Sequence, residues 1–133
     1  MAAVVIDTHT AVWYLSNDPK LSENAKRALD DAAATGDPTY LCAISIVEVV
    51  YLVEKGKLPA TMLDRLIGAL SDPDSAFVIA PLDKSVALAL RQIPRSLVPD
   101  MPDRIIAATA HHLNLPLVTR DTEITNAGIN TIW

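Results

Sequence analysis

Short apolar runs alternate along the chain with longer segments whose apolar residues recur every three or four positions. The short runs are rich in β-branched residues and predict strands at 3–6, 40–43, 77–80, 117–119 and, with a weaker pattern, 130–132. The longer segments predict helices at 10–16, 23–34, 46–55, 60–70, 84–92 and 102–113. This alternation is typical of an α/β fold with a short, mostly parallel central sheet of four to five strands and helices on both faces.

Residues at the predicted helix ends support this assignment. Ser22 is suited to cap the second helix, and Gly36 and Gly56 stand where a left-handed residue commonly ends a helix. Pro102 falls in the first turn of the last long helix, where its missing N–H costs nothing. We therefore expect six helices with these approximate ends.

The chain has the size of one domain, and we assign 1–133 to it. It contains 133 residues, of which 50% are hydrophobic and 20% charged, which suffices for one continuous core. The most apolar stretch, 43–53, contains Glu48 and is much shorter than the ~20 residues needed to span a bilayer. The N-terminus lacks a basic segment before its apolar run, so we expect no secretory signal and a cytoplasmic protein.

Composition also argues against several kinds of chemistry. A single cysteine and three histidines disfavour a disulfide or a thiolate zinc site. Only four glycines are present, and they form no phosphate-cradling loop. The net charge of -5 opposes the binding of a polyanion such as RNA, unless something offsets it.

Four acidic residues stand at positions where such a fold builds sites. Asp7 follows the first predicted strand, Asp121 follows the fourth, Asp103 lies in the first turn of the last long helix, and Glu48 interrupts an apolar segment. Each also has a structural explanation. Asp7 can cap a helix, Ser45 and Glu48 match a capping box, Asp103 complements a helix dipole, and Asp121 suits a turn.

The shared location of the four acids favours a common function. In open α/β sheets, ligands bind at the carboxyl ends of the strands, where these residues fall. Clustered carboxylates repel one another unless divalent cations lie among them, and oxygen ligands favour Mg²⁺ or Mn²⁺. We therefore predict a metal site formed by Asp7, Glu48, Asp103 and Asp121.

Four segments of the chain together resemble the PIN-domain nucleases, in particular the VapC-type toxins of type II toxin–antitoxin systems. They are Val-Val-Ile-Asp-Thr-His at 4–9, Ser-Ile-Val-Glu-Val at 45–49, the helix start at 100–110, and Leu-Val-Thr-Arg-Asp at 117–121. The chain departs from the family at Asp100-Met101-Pro102-Asp103, where the family often has Asp-Pro-x-Asp. The resemblance implies an endoribonuclease that forms a homodimer and is neutralised by a cognate antitoxin.

Three further residues are candidates for substrate binding. In the family that the chain resembles, a Ser or Thr at the position of Thr119 lies close to the metal. Arg104 and Arg120 flank two of the acids and could either balance their charge or bind RNA phosphates. Two divalent ions would activate a water, stabilise the charge of a phosphodiester, and offset most of the negative charge.

Two other functions remain open. The acids could bind metal or a basic peptide in an interaction module without catalysis. The chain could also be a phosphoacceptor domain of receiver type, which has a similar length and short parallel strands. That alternative fits less well, because Asp7 has no acidic neighbour and no lysine follows Leu117 closely.

Overall fold

The computed structural model describes residues 2–133, in which five strands form one parallel sheet. The strands are β1 Val4–Ile6, β2 Thr39–Cys42, β3 Phe77–Ala80, β4 Leu117–Val118 and β5 Thr131–Ile132. Their order across the sheet is β3-β2-β1-β4-β5, and every neighbouring pair is parallel. The predicted α/β class is thus confirmed, with five strands.

Seven α-helices connect and cover these strands within the described residues. They are α1 Thr8–Leu15, α2 Glu23–Thr35, α3 Ala43–Glu54, α4 Ala60–Ser71, α5 Lys84–Ala89, α6 Met101–Leu113 and α7 Thr122–Asn126. None of the helices in residues 2–133 has the length and apolar character required to cross a membrane.

Alternating residues of each strand build two separate cores, one on each face of the sheet. Val4 and Ile6 pack with apolar residues of α1, α2, α3 and α4 on one face. Val5 and Leu117 pack with residues of α6 and α7 on the other face. Burial of both faces explains why the strands are almost continuously apolar.

The predicted helices all exist, but three of their ends differ by two or more residues, for local reasons. Helix α1 begins at Thr8 because Asp7 caps it. Helix α3 begins directly after β2 at Ala43, so Ser45 lies inside the helix and the capping box was wrong. The predicted helix 84–92 ends as an α-helix at Ala89 and continues as the 3₁₀-helix Leu90–Gln92. Helix α7 was not predicted, since its five residues are too few to show a period.

The strand order creates a switch point between β1 and β4, where the chain path leaves the two strands in opposite directions. Ile6 of β1 pairs with Leu41 of β2 and with Val118 of β4, so these three strands end level with one another. Open α/β sheets bind ligands at such a point. The order also excludes the receiver-type alternative, whose fold has the order 2-1-3-4-5.

Candidate active site

Asp7 is the first residue beyond β1 and has two structural contacts. Its Oδ1 accepts a hydrogen bond of 2.9 Å from the backbone N–H of Thr10, which caps α1. Its Oδ2 accepts a hydrogen bond from the hydroxyl of Thr119. The predicted capping role is therefore real, and it coexists with a position at the switch point of the sheet.

Thr119 connects the acids that follow β1 and β4. Its hydroxyl donates to Asp7 and accepts a 3.0 Å hydrogen bond from the backbone N–H of Asp121. Asp121 in turn caps α7 by accepting a bond from the N–H of Glu123. Because Thr119 is only 1% exposed, we assign it to positioning these acids, in place of the predicted substrate contact.

Glu48 faces the same region from α3. The Thr8 hydroxyl, one residue after Asp7, donates a hydrogen bond of 2.5 Å to Glu48 Oε1 and lies 2.9 Å from Ser45 Oγ. Thr8 was not among the residues predicted from the sequence, although its position next to Asp7 was a signal. Burial raises the pKa of Glu48, and the charges of Asp100 and Asp7 add to that rise. The carboxyl group of Glu48 therefore lies near the charges of Asp7 and Asp100.

Asp103 lies in the first turn of α6 and has the most perturbed carboxyl group of the site. Burial raises its pKa from the ordinary 3.8 to about 7, with additional rises caused by Asp100, Asp121 and Glu48. The like charges must be near Asp103 to have this effect. Such perturbation in a cleft is a mark of functional sites.

Three of the four predicted acids line one cavity of about 540 Å³: Asp7, Asp103 and Asp121. Cationic residues line it as well, namely Lys20, Lys57 and Arg120, together with His9 and Trp13. Glu48 lines a neighbouring groove of about 400 Å³, which shares His9 with the cavity. The fold thus brings Asp7, Asp103 and Asp121 to one cavity from the ends of β1 and β4 and the start of α6, and places Glu48 of α3 in the neighbouring groove.

The donor chemistry of these residues fits a hard divalent cation. All four side chains offer carboxylate oxygens, and a cation would offset both the burial and the like charges that raise the pKa values of Asp103 and Glu48. Residues 2–133 hold no group of three or more potential ligands already arranged around one ion position. In this conformation the four carboxylates are therefore not arranged to share one ion.

A comparison with known proteins identifies the family. Residues 4–130 match the sequence profile of the PIN domain. The chain belongs to the PIN-domain family. The match covers nearly the whole chain, and it confirms the resemblance seen in the sequence motifs.

This PIN domain is similar to Ribonuclease VapC22 of Mycobacterium tuberculosis, with 30% identity over 125 residues, covering 93% of this chain and 91% of that protein. Among solved structures it is similar to VapBC2 from Rickettsia felis bound to a promoter DNA fragment, with a TM-score of 0.73, 18% identity and coverage of 97% and 96%. A toxin–antitoxin complex from Klebsiella pneumoniae gives a TM-score of 0.69, 24% identity and coverage of 98% and 96%. At these identities the two structures show a shared fold.

Arg104 of the PIN domain does not lie among the residues that line the cavity. Its Nε donates to the carbonyl of Ile93 at 2.8 Å, and its Nη2 donates to the carbonyl of Leu90 at 2.9 Å. These bonds hold the end of the 3₁₀-helix against α6. We therefore assign Arg104 a structural role and leave it out of the substrate contacts predicted from the sequence.

We expect the metal-free PIN domain to lose stability as the pH rises from about 4 to about 7. Because the folded-state pKa of Asp103 is raised to about 7, the folded protein holds this proton more tightly than the unfolded chain. The resulting stabilisation is complete below the ordinary pKa of the group and disappears above the raised one. Asp103 is partly exposed, so solvent screening reduces the effect to about 1–2 kcal/mol.

Urea unfolding in EDTA at pH 5 and pH 8 measures this effect. Other carboxylates also titrate, so the informative quantity is the difference between the wild type and Asp103→Asn. We expect the free energy of unfolding of the variant to match or exceed that of the wild type at pH 8. Between pH 5 and pH 8, the variant should lose less of this free energy than the wild type does. Parallel pH profiles, or a large destabilisation at pH 8, would favour a purely structural role for Asp103 at the start of α6.

Proposed function

We propose that this PIN domain is a metal-dependent endoribonuclease toxin that a cognate antitoxin neutralises. The observation that carries the proposal is the convergence of Asp7, Asp103 and Asp121 on one cavity at the switch point of the sheet. The raised pKa of Asp103 supports it, because burial and the neighbouring acids disfavour the charged carboxylate unless a cation is bound beside it. The name of the similar Ribonuclease VapC22 supports the same class of reaction.

Asp7, Glu48, Asp103 and Asp121 are the residues that would hold Mg²⁺ or Mn²⁺. When bound, such ions activate water for attack on a phosphodiester and stabilise the charge that develops on its oxygens. Thr119 fixes the orientation of Asp7 through a hydrogen bond, and Thr8 does the same for Glu48. Hydrogen bonds of this kind restrict the orientation of the carboxylates that would bind the ion.

Arg120 is the residue that we assign to contact the RNA backbone. It is exposed, lines the cavity and immediately precedes Asp121. A guanidinium at that position can donate two hydrogen bonds to phosphate oxygens. It would hold the substrate beside the carboxylates and reduce their repulsion of the phosphate.

The groove beside Glu48 is the surface that we assign to the antitoxin. Val47, Tyr51 and Met101 line it and are 48%, 58% and 62% exposed. Exposed apolar residues of this kind are typical of protein interfaces. A segment of the antitoxin lying there would reach His9 and Glu48, and the fold itself occurs in toxin–antitoxin complexes. We also expect a homodimer, as the resemblance to VapC-type toxins implies.

Incubation of the purified protein with end-labelled single-stranded RNA and Mn²⁺ or Mg²⁺ tests the proposal. Defined RNA fragments that disappear when EDTA is added would support it. Binding of metal or of a basic peptide without any cleavage would favour the interaction module instead.

A further inference from the structure

The cavity that contains the acids also contains cations that no acid neutralises. Lys20, Lys57 and Arg120 are exposed and line the cavity together with three carboxylates. Among residues 2–133 the one salt bridge within 4 Å joins Lys26 to Asp30, on the surface of α2. The three cations are therefore available to an anion that enters from solution.

Two of these cations lie against the ring of Trp13. The guanidinium carbon of Arg120 lies 4.6 Å from the centroid of the Trp13 ring, and the Lys20 Nζ lies 5.9 Å from it. An indole attracts cations more strongly than other aromatic rings do. Trp13 is only 8% exposed and packs against the rings of His9 and Trp133, so its own position is held by the core.

We propose that Trp13 is a positioning residue which holds Arg120 and Lys20 at the cavity wall, where they bind with Lys57 the backbone phosphates of RNA that flank the cleaved bond. This inference rests on the proposed function and adds residues to it: Lys20 and Lys57 as phosphate ligands, and Trp13 acting through Arg120.

The origin of the cations along the chain supports binding of several phosphates. Arg120 lies between Thr119, which is bonded to Asp7, and Asp121, so a phosphate on Arg120 is next to the acids. Lys20 comes from the connection between α1 and α2, and Lys57 from the connection between α3 and α4. Cations from three separate connections can follow a nucleic-acid strand, as in other grooves that bind single-stranded RNA.

The salt dependence of RNA binding tests the three cations. A fluorescein-labelled single-stranded RNA is titrated in EDTA with the Asp103→Asn protein. This substitution removes one negative charge that repels RNA and, under the proposed function, prevents cleavage. Arg120→Gln, Lys20→Gln and Lys57→Gln each remove one phosphate ligand, so each should make the slope of log K against log salt shallower by about 0.7. The matched controls are Arg27→Gln on α2 and Lys84→Gln on α5, which are exposed outside the cavity and should leave the slope unchanged.

A double-mutant cycle tests Trp13. We expect Trp13→Leu to weaken RNA binding about two- to fivefold. Its effect should be smaller once Arg120 is replaced by Gln, and should vanish once Lys20 is replaced by Gln as well, because both cations lie against the ring. Trp13→Phe should keep part of the affinity. Leu66→Ala, which removes a buried side chain from the same core without lining the cavity, controls for reduced packing and should leave RNA affinity unchanged. If Trp13→Leu does not fold, the same cycle with Trp13→Phe decides.

The outcomes separate this inference from the proposed function. Three results would each overturn the inference, even if the wild type cleaves RNA with Mn²⁺. They are unchanged slopes in all three cation variants, additive effects of Trp13 and Arg120 on RNA affinity, and the absence of salt-dependent RNA binding by the Asp103→Asn parent protein. Shallower slopes with a coupled Trp13 support it. If the wild type then fails to cleave RNA with any divalent ion, the nuclease proposal falls while the phosphate-binding surface stands.

Discussion

Asp7→Asn is expected to abolish RNA cleavage while the protein remains folded. The substitution removes a negative charge from the proposed metal site, so the loss should exceed the about 10- to 100-fold cost of changing a group that only supports a ligand. An asparagine oxygen can still accept the hydrogen bond from the Thr10 N–H, and asparagine is a good helix cap. Cleavage rates on labelled RNA, together with a thermal melt, measure both parts of this expectation.

Asp83→Asn is the matched control for this experiment. Asp83 caps α5 by accepting a hydrogen bond from the N–H of Val86, as Asp7 caps α1, but it does not line the cavity. We expect Asp83→Asn to cleave RNA at the wild-type rate. Wild-type cleavage by Asp7→Asn would show that Asp7 acts only as a cap, and the proposed site would be wrong.

Addition of Mn²⁺ or Mg²⁺ to chelator-treated protein is expected to raise its melting temperature and restore cleavage. Neutralising the clustered acids stabilises only the folded state, by about 2.7 kcal/mol when the free ion reaches a hundred times its Kd. For a domain of this size, that corresponds to roughly 10 °C. Because residues 2–133 hold no group of three potential ligands arranged around one ion position, the affinity for the ion includes the cost of bringing the carboxylates together.

Variants show whether the shift comes from the proposed residues. Asp83→Asn should retain the full increase in melting temperature, whereas Asp7→Asn and Asp103→Asn should lose most of it. The metal-free variants should also melt no lower than the metal-free wild type, since each removes a like charge from the cluster. An equal increase in all proteins would indicate that the ions bind elsewhere, and a large loss of stability in the variants would favour the capping roles.

The sheet was predictable because its strands are short, apolar and separated by helices. Phe77–Ala80 was predicted to the residue, and the other four strands were predicted within one residue at each end. Burial on both faces leaves no alternation to interpret, so a run of β-branched residues is a sufficient signal. The start of α3 was harder to predict, because a serine and a glutamate three residues apart form a capping box only where the helix actually begins.

The candidate site was predictable in part. Acids placed after strands or at helix starts were expected to meet, and Asp7, Asp103 and Asp121 do line one cavity. The roles of Arg104 and Trp13 could not be predicted from the sequence. Arg104 is next to an acid in the sequence, but its side chain turns to the carbonyls of Leu90 and Ile93. Trp13 belongs to an apolar helix, and its contact with Arg120 joins residues more than a hundred positions apart.

The order of residue types along the chain was enough to define an α/β domain, its family and the four acids at its carboxyl edge. These features can be recognised from residues that are close together in the sequence, because the period of hydrophobic residues, the capping residues and the charges that are costly to bury all depend on short segments. Folding settled which acids line the same cavity, that Thr119 and Thr8 orient two of them, and that Trp13 keeps cations beside them. Such contacts depend on strand order and side-chain direction, and both arise only when segments distant in the sequence pack together.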